Sequence, residues 1–319
     1  MTGGAREQAA LLPPAPGFYR FRDARGRVLY LGRATSLRSR VASYWGDLGD
    51  RAHLGRMMAM VARVEAVACD SVHEAAWLER NLLQARKPPW NRAPSGGQEV
   101  EVWIRLSDDA RTPGVTVVHE RQEHERQEHE RQEHERQEHD RHFGPYLGGR
   151  QVRLAVSGLS RVLPLNYASK ELAGTRQDMA RVRGVSAADR VMLADTVANV
   201  LRRDPKAVTS LRKSLIERRD AASGILAFEL AARLQQEIEA IDWVTAEQKV
   251  TGPDQADHDV CGWSQGVLIS FAIRTGRLTG WTQRACGAAT ARRHLEQTPP
   301  GWAPFAQRNA ELAARLTGA

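Results

Sequence analysis

The strings Gly17-Phe18-Tyr19 and Tyr30-Leu31-Gly32 flank a short polar stretch, Asp23-Ala24-Arg25-Gly26. Asp and Gly in a gap this short, between two apolar runs, specify a chain reversal. The reversal makes residues 17–32 a β-hairpin, and a hairpin dictates which side chains become neighbours. With residues 23–26 as the loop, Arg22 faces Arg27 and Tyr19 lies directly opposite Tyr30. Opposed residues leave the sheet from one face. The sequence therefore predicts two phenols side by side at the start of the chain.

Further along, the first 98 residues read as one compact α+β unit. Ser36 is placed to cap a helix bearing Leu37, Arg40, Val41 and Tyr44 at helical spacing. A second helix is expected over 52–60 and a third strand over 61–69. Ser71 and Glu74 have the spacing of a capping box, opening a helix that reaches about Arg86 before Pro88-Pro89 stops it. Residues 99–149 predict two strands around Pro113-Gly114, interrupted by a repeat over 119–138 of the unit His-Glu-Arg-Gln-Glu. A five-residue period keeps no constant helical face, so its histidines do not converge on a metal; it reads as a surface insertion. Residues 150–205 are expected to be helical, with a start at Ser186 and Asp189. Residues 206–241 predict a helical hairpin turning at Ala222-Ser223-Gly224. The segment 252–319 predicts a short β-hairpin over 267–283 and a closing helix near 306–316.

Charge separates these regions. Residues 1–98 carry fifteen basic and eight acidic side chains, whereas residues 99–146 carry seven and thirteen. A basic, arginine-rich first unit suits a phosphate-backbone partner. The three cysteines are too far apart for metal spacing or a disulfide framework, which fits a reducing cytoplasm. No apolar run is long enough to span a membrane, and the first residues lack the pattern of a secretory signal. No Gly-rich phosphate loop with its lysine occurs, so no bound nucleotide is expected.

The candidate chemistry lies in the first unit. Arg40 falls on the apolar stripe of its helix, where a charge calls for a partner or an anionic ligand. Glu79 lies mid-helix at the edge of the core-facing side, and Asn91 follows the proline pair. A carboxylate can hold a divalent ion, a guanidinium can offset charge on phosphate oxygens, and a phenol made more acidic by nearby cations can take a proton from water. That is the set of groups phosphodiester hydrolysis requires. Singly, each has an ordinary structural use: phenols fill cores, and glutamates coat helices.

As an ordered set these residues resemble a known family. Pro16–Phe21, Val28–Ala34, Leu37–Tyr44, Glu79–Leu83 and Lys87–Asn91 together resemble the GIY-YIG nuclease domain, above all that of UvrC, the bacterial excision-repair endonuclease, and its shorter relative Cho. The resemblance implies a small antiparallel sheet flanked by helices. It implies that Tyr19 and Tyr30 are active-site tyrosines, one of them the general base. It implies that Arg40 contacts the scissile phosphate, that Glu79 is the sole protein ligand of one Mg²⁺ or Mn²⁺, and that Asn91 and Tyr44 orient the site. Arg33 stands where UvrC usually has lysine, and Trp90 where it usually has tyrosine. Phe143–Tyr146, Val152-Arg153 and Leu163–Leu165 continue the resemblance, but the cysteine cluster found there in the family has no counterpart, so no iron–sulfur centre is expected. Residues 206–241 resemble the UVR motif that binds UvrB, with Phe228, Glu229, Ala232 and Leu234 as contact residues. The implied function is a single nick 3′ to a lesion in double-stranded DNA presented by UvrB. The alternatives are a non-catalytic UvrB-binding adaptor and a stand-alone DNA nuclease.

Overall fold

The computed structural model describes residues 3–46, 53–91, 100–119, 140–252 and 256–318. Apart from His119, the repeat tract lies outside the described residues. The chain divides into two compact units, Met1–Gln98 with Glu247–Ala319, and Glu99–Ala246.

The first unit opens with a helix α1 (Gly3–Leu11) that the sequence reading did not anticipate. Its signal was Ala5, Ala9 and Leu12, which are buried at helical spacing. Strands β1 (Gly17–Arg22), β2 (Val28–Ala34) and β3 (Arg63–Ala68) form an antiparallel sheet in the order β2-β1-β3. The expected register is corrected: Tyr19 pairs with Gly32, and Phe21 pairs with Tyr30. Two features cause this. The Asp23 carboxylate accepts from the backbone N–H groups of Arg25 and Arg27, at 3.0 and 2.9 Å, closing the loop between Asp23 and Arg27. A bulge between Phe21 and Arg22 then adds a residue to one strand. The shift is even, so Tyr19 and Tyr30 keep a common face but become diagonal neighbours.

Helix α2 (Leu37–Ala42) is followed by a 3₁₀ turn, Ser43–Trp45, which carries Tyr44 into the core. The helix expected over 52–60 is shortened to a single α-turn, α3 (Gly55–Met58), flanked by 3₁₀ and turn residues. Helix α4 (Val72–Ala85) starts where predicted, with the Ser71 hydroxyl accepting from Glu74 N–H at 3.0 Å. The reciprocal bond differs from the expected box: Glu74 Oε2 accepts from Asp70 N–H at 2.6 Å.

In the second unit, β4 (Glu101–Ser107) is the middle strand between β5 (Gly114–His119) and β6 (Asp140–Leu147). Helices α5 (Gly149–Val162), α6 (Thr175–Val182) and α7 (Arg190–Leu201) follow. Ser186 and Asp189, read from the sequence as a helix start, form a capping box. The helical hairpin consists of α8 (Pro205–Gly224) and α9 (Phe228–Thr245). Its turn falls at residues 225–227, after the expected Ala222-Ser223-Gly224, because helical backbone continues to Gly224 and Leu226 takes the left-handed conformation (φ +61°). Leu234 is 2 % exposed inside this unit's core, so its place among the contact residues is corrected. Phe228, Glu229 and Ala232 are exposed on the same helix.

The chain then returns to the first unit. Strands β7 (His258–Ser264), β8 (Val267–Arg274) and β9 (Arg277–Ala285) make a meander, so the expected hairpin gains a third strand. Helices α10 (Ala288–Leu295) and α11 (Ala303–Thr317) close the chain. Side-chain amides tie this segment to the first sheet. Asn309 accepts from Ala68 N–H at 2.7 Å and donates to Ala68 C=O at 3.1 Å, acting as a neighbour for the edge strand β3. Gln8 accepts from Val64 N–H and donates to Leu316 C=O, both at 2.8 Å. Asn81 donates to Val250 C=O and to the Thr251 hydroxyl. The serial division at residue 252 therefore gives way to one unit built from both ends of the chain. Partners this far apart in the chain leave no local signature.

Candidate active site

The residues singled out from sequence gather around β2, an edge strand of the first sheet. Tyr19 is fully buried, and its hydroxyl lies 2.7 Å from that of Tyr44. The half-buried Tyr30 ring is 6.3 Å from Tyr19 and 6.0 Å from Tyr44, centroid to centroid. Three phenols thus form one cluster, contributed by two strands and the turn after α2. Gly32 makes the cluster possible: a Cβ there would sit 2.6 Å from the Tyr19 hydroxyl. Sequence reasoning quoted Gly32 without giving it this role, because the close approach appears only once the true register is known.

Arg40 occupies the expected place on α2. It is half-buried beside Val41, with its guanidinium carbon 5.5 Å from the centre of the Tyr44 ring and its charge acting on Tyr19 and Tyr30. Asn91 does not enter the phenol cluster. It accepts from Leu31 N–H at 3.0 Å and donates to Leu31 C=O at 2.8 Å, so it serves as the missing neighbour of β2 between Tyr30 and Gly32. Trp90 N–H extends this pairing to Leu29 C=O.

Glu79 comes from α4. Its side chain is 14 % exposed, and Arg33 Nε lies 3.3 Å from Oε2. Arg33 pairs across the sheet with Phe18, so it leaves the face opposite Tyr19. The site therefore straddles the edge of the sheet, with phenols and Arg40 on one side and the Arg33–Glu79 pair on the other. The two sides are electrostatically joined, since the Glu79 charge acts on Tyr30.

The expected acidity of the phenols is reversed. Burial first, then the neighbouring Tyr44 and Tyr30, hold Tyr19 well above the ordinary phenol value. Tyr30 is raised by burial, then by Tyr44 through charge and hydrogen bonding, with Glu79 adding to the shift. Arg40 pulls both phenols down, but less than burial pushes them up. A divalent cation beside Tyr30 would act in the same direction as Arg40 and oppose the effect of burial.

The donor set suits one hydrated divalent ion. Among the described residues no group of three or more His, Cys, Asp or Glu side chains is placed to share a metal. Mg²⁺ keeps several waters and takes one or two carboxylates, so Glu79 alone is an adequate protein ligand. Tyr30 is only half-buried and feels the Glu79 charge, whereas Tyr19 and Tyr44 are sealed by packing.

Comparison with known proteins agrees with the arrangement along the chain. Residues 15–92 match the UvrC-like GIY-YIG domain. The chain is 30 % identical over 301 residues to UvrABC system protein C of Symbiobacterium thermophilum, covering 88 % of this chain and 44 % of that protein. It is 29 % identical over 306 residues to the protein of the same name from Synechococcus elongatus, covering 90 % and 45 %. The chain thus spans under half the length of these relatives. A solved structure of the GIY-YIG N-terminal endonuclease domain of UvrC from Thermotoga maritima, bound to its catalytic magnesium, is 29 % identical. It covers 27 % of this chain and 93 % of that one, with a TM-score of 0.25.

Proposed function

We propose, from the premise that residues 15–92 are a UvrC-like GIY-YIG domain, that this protein is a DNA endonuclease of nucleotide excision repair. It hydrolyses one phosphodiester bond 3′ to a lesion, leaving 3′-hydroxyl and 5′-phosphate ends. The observation that carries the reading is the convergence of Tyr19, Tyr30, Tyr44, Arg40 and Glu79 from separate elements on one strand edge.

Each group has a task in that reaction. Glu79 holds one Mg²⁺ or Mn²⁺, with Arg33 steering the carboxylate. The bound cation supplies positive charge that makes an attacking water and a neighbouring phenol more acidic and offsets charge on the phosphate. Tyr30, the least buried of the three phenols, would first release its own proton to solvent beside that cation and then take one from the attacking water. Tyr19 and Tyr44 fix the Tyr30 ring and its hydroxyl in place. Arg40 faces the non-bridging oxygens, where its charge balances what develops as water attacks. Asn91 holds the register of β2 and so the direction of Tyr30.

Substrate delivery belongs to the second unit. Ile225, Leu226, Phe228 and Leu230 are exposed at the tip of the α8–α9 hairpin, with Ile225 at 77 % and Phe228 at 62 %. An apolar tip of this kind suits docking on a complementary helical hairpin, which we assign to UvrB. No helix among the described residues is long and apolar enough to cross a membrane. A cytoplasmic repair role is proposed from the likeness to the UvrABC system protein C relatives.

The test is a nicking assay on a duplex bearing one bulky adduct, with UvrA, UvrB and Mg²⁺. Glu79→Ala is expected to lose nearly all activity while melting like wild type. Equal activity in both proteins would remove Glu79 as the metal ligand. A wild-type protein that binds UvrB without incising would instead be an adaptor. Incision without UvrB would mark a stand-alone nuclease.

A further inference from the structure

Alternation along β1 sends Arg20 and Arg22 to the face opposite Tyr19 and Phe21. On that face lies a cleft of about 730 Å³, bounded by the β1–β2 loop, the end of α4, the proline turn and β9. None of Tyr19, Tyr30, Arg40 or Glu79 lines it.

The lining carries six basic side chains and no carboxylate. Arg20 and Arg22 pair with the buried Glu65, and Arg27 pairs with Asp23. Arg25, Arg86 and Lys87 are exposed at the rim, on two segments that flank the opening. The floor is apolar and aromatic. Leu31, Leu82 and Trp281 contribute to it, and the Arg20 guanidinium lies 3.7 Å from the centre of the Trp281 ring. Trp281 is 4 % exposed, and its indole N–H is buried without a hydrogen-bond partner.

We propose that this cleft holds a nucleotide of a single-stranded nucleic-acid segment, with the base on the Trp281 floor and its flanking phosphates on Arg25, Arg86 and Lys87. The volume falls in the range of small-ligand sites, roughly 300–1,000 Å³. A base offers a flat face for this apolar floor and an edge of carbonyl and ring-nitrogen acceptors that the cleft's cations can meet. A paired base inside a duplex cannot present that edge to a recessed floor, so the strand must be open. A free nucleotide shares the chemistry. Rim cations on both sides of the floor favour a strand that enters and leaves.

Fluorescence anisotropy with a labelled oligothymidine tests this on the full chain. EDTA is included, so neither Glu79 nor cleavage contributes. Arg86→Ala/Lys87→Ala is expected to bind about tenfold more weakly at low salt. Its dependence of log affinity on log salt should flatten by roughly 0.7 for each phosphate that is no longer neutralised. Arg292→Ala/Arg293→Ala removes equal charge from exposed α10 and serves as the control. Tryptophan fluorescence of each variant confirms folding. The same loss in both double variants, or no loss in either, overturns the site. Thymidine monophosphate competing as well as the oligonucleotide, and failing to bind Arg86→Ala/Lys87→Ala, would keep the site and assign it to free nucleotides.

Discussion

Gly32→Ala tests the geometry of the phenol cluster. An added Cβ would meet the Tyr19 hydroxyl at 2.6 Å, Tyr19 Cζ at 2.7 Å and Tyr30 Cε1 at 2.9 Å. Non-bonded carbons settle near ~3.5 Å, so the Tyr19 ring must retreat by about 0.8 Å. Retreat breaks its 2.7 Å bond to Tyr44, and the ring is fully enclosed. Overpacking of this kind costs about 1–3 kcal/mol, and the broken hydrogen bond adds about 1 kcal/mol. Urea unfolding should therefore show a destabilisation of about 2–4 kcal/mol. Single-turnover nicking should fall by roughly 100-fold, the scale set by a misplacement near 1 Å at a reacting centre. In a Tyr19→Phe background the nearest atom is absent, and the added cost of Gly32→Ala should shrink by about 1 kcal/mol. A Gly32→Ala protein that melts and nicks like wild type would refute the reasoning, as would strictly additive effects in the double variant.

Asn309→Ala removes both hydrogen bonds to Ala68 and should destabilise the first unit by about 2–4 kcal/mol, read as a lower urea midpoint; an unchanged midpoint would show that β3 needs no such partner. Burial would raise the Glu65 carboxyl, but Arg20, then Arg22 and Arg63, outweigh it and hold the pKa below its usual 4.5. The folded value is the depressed one, so this stability is complete above the unfolded value and is lost as pH falls through the folded one. Urea midpoints measured from about pH 6 to about pH 3 should fall more steeply for wild type than for Glu65→Gln, and parallel curves would contradict the pairing. On α9, Phe228→Ala should weaken UvrB binding without changing the unfolding midpoint. Leu234→Ala should instead cost about 2–5 kcal/mol of stability, and equal effects of the two would erase the distinction between tip and core.

Legibility followed the range of the physics. The capping of α4 could be read because Ser71 and Glu74 meet within one turn. The shared face of Tyr19 and Tyr30 was legible because strands alternate strictly. Their exact pairing was not, because one bulge and the reach of the Asp23 carboxylate decided it. The acidity of the phenols was misjudged for a related reason: nearby cations are visible in a sequence, but the depth of burial that outweighs Arg40 is not. Leu234 fits a contact stripe on paper, and only the packing of the second unit draws it inward.

By itself the sequence determined the hairpin, the capped helix behind it and the residue types fit for cutting a phosphodiester. These follow from turn chemistry, capping and side-chain periodicity, which act over a few residues. Tertiary structure alone decided that Asn309, Gln8 and Asn81 join the two ends of the chain into one unit, that Glu79 meets Arg33 beside the phenol cluster, and that Trp281 floors an arginine-lined cleft. Those outcomes depend on buried polar groups finding partners across long stretches of sequence, and such matching exists only once the chain has closed on itself.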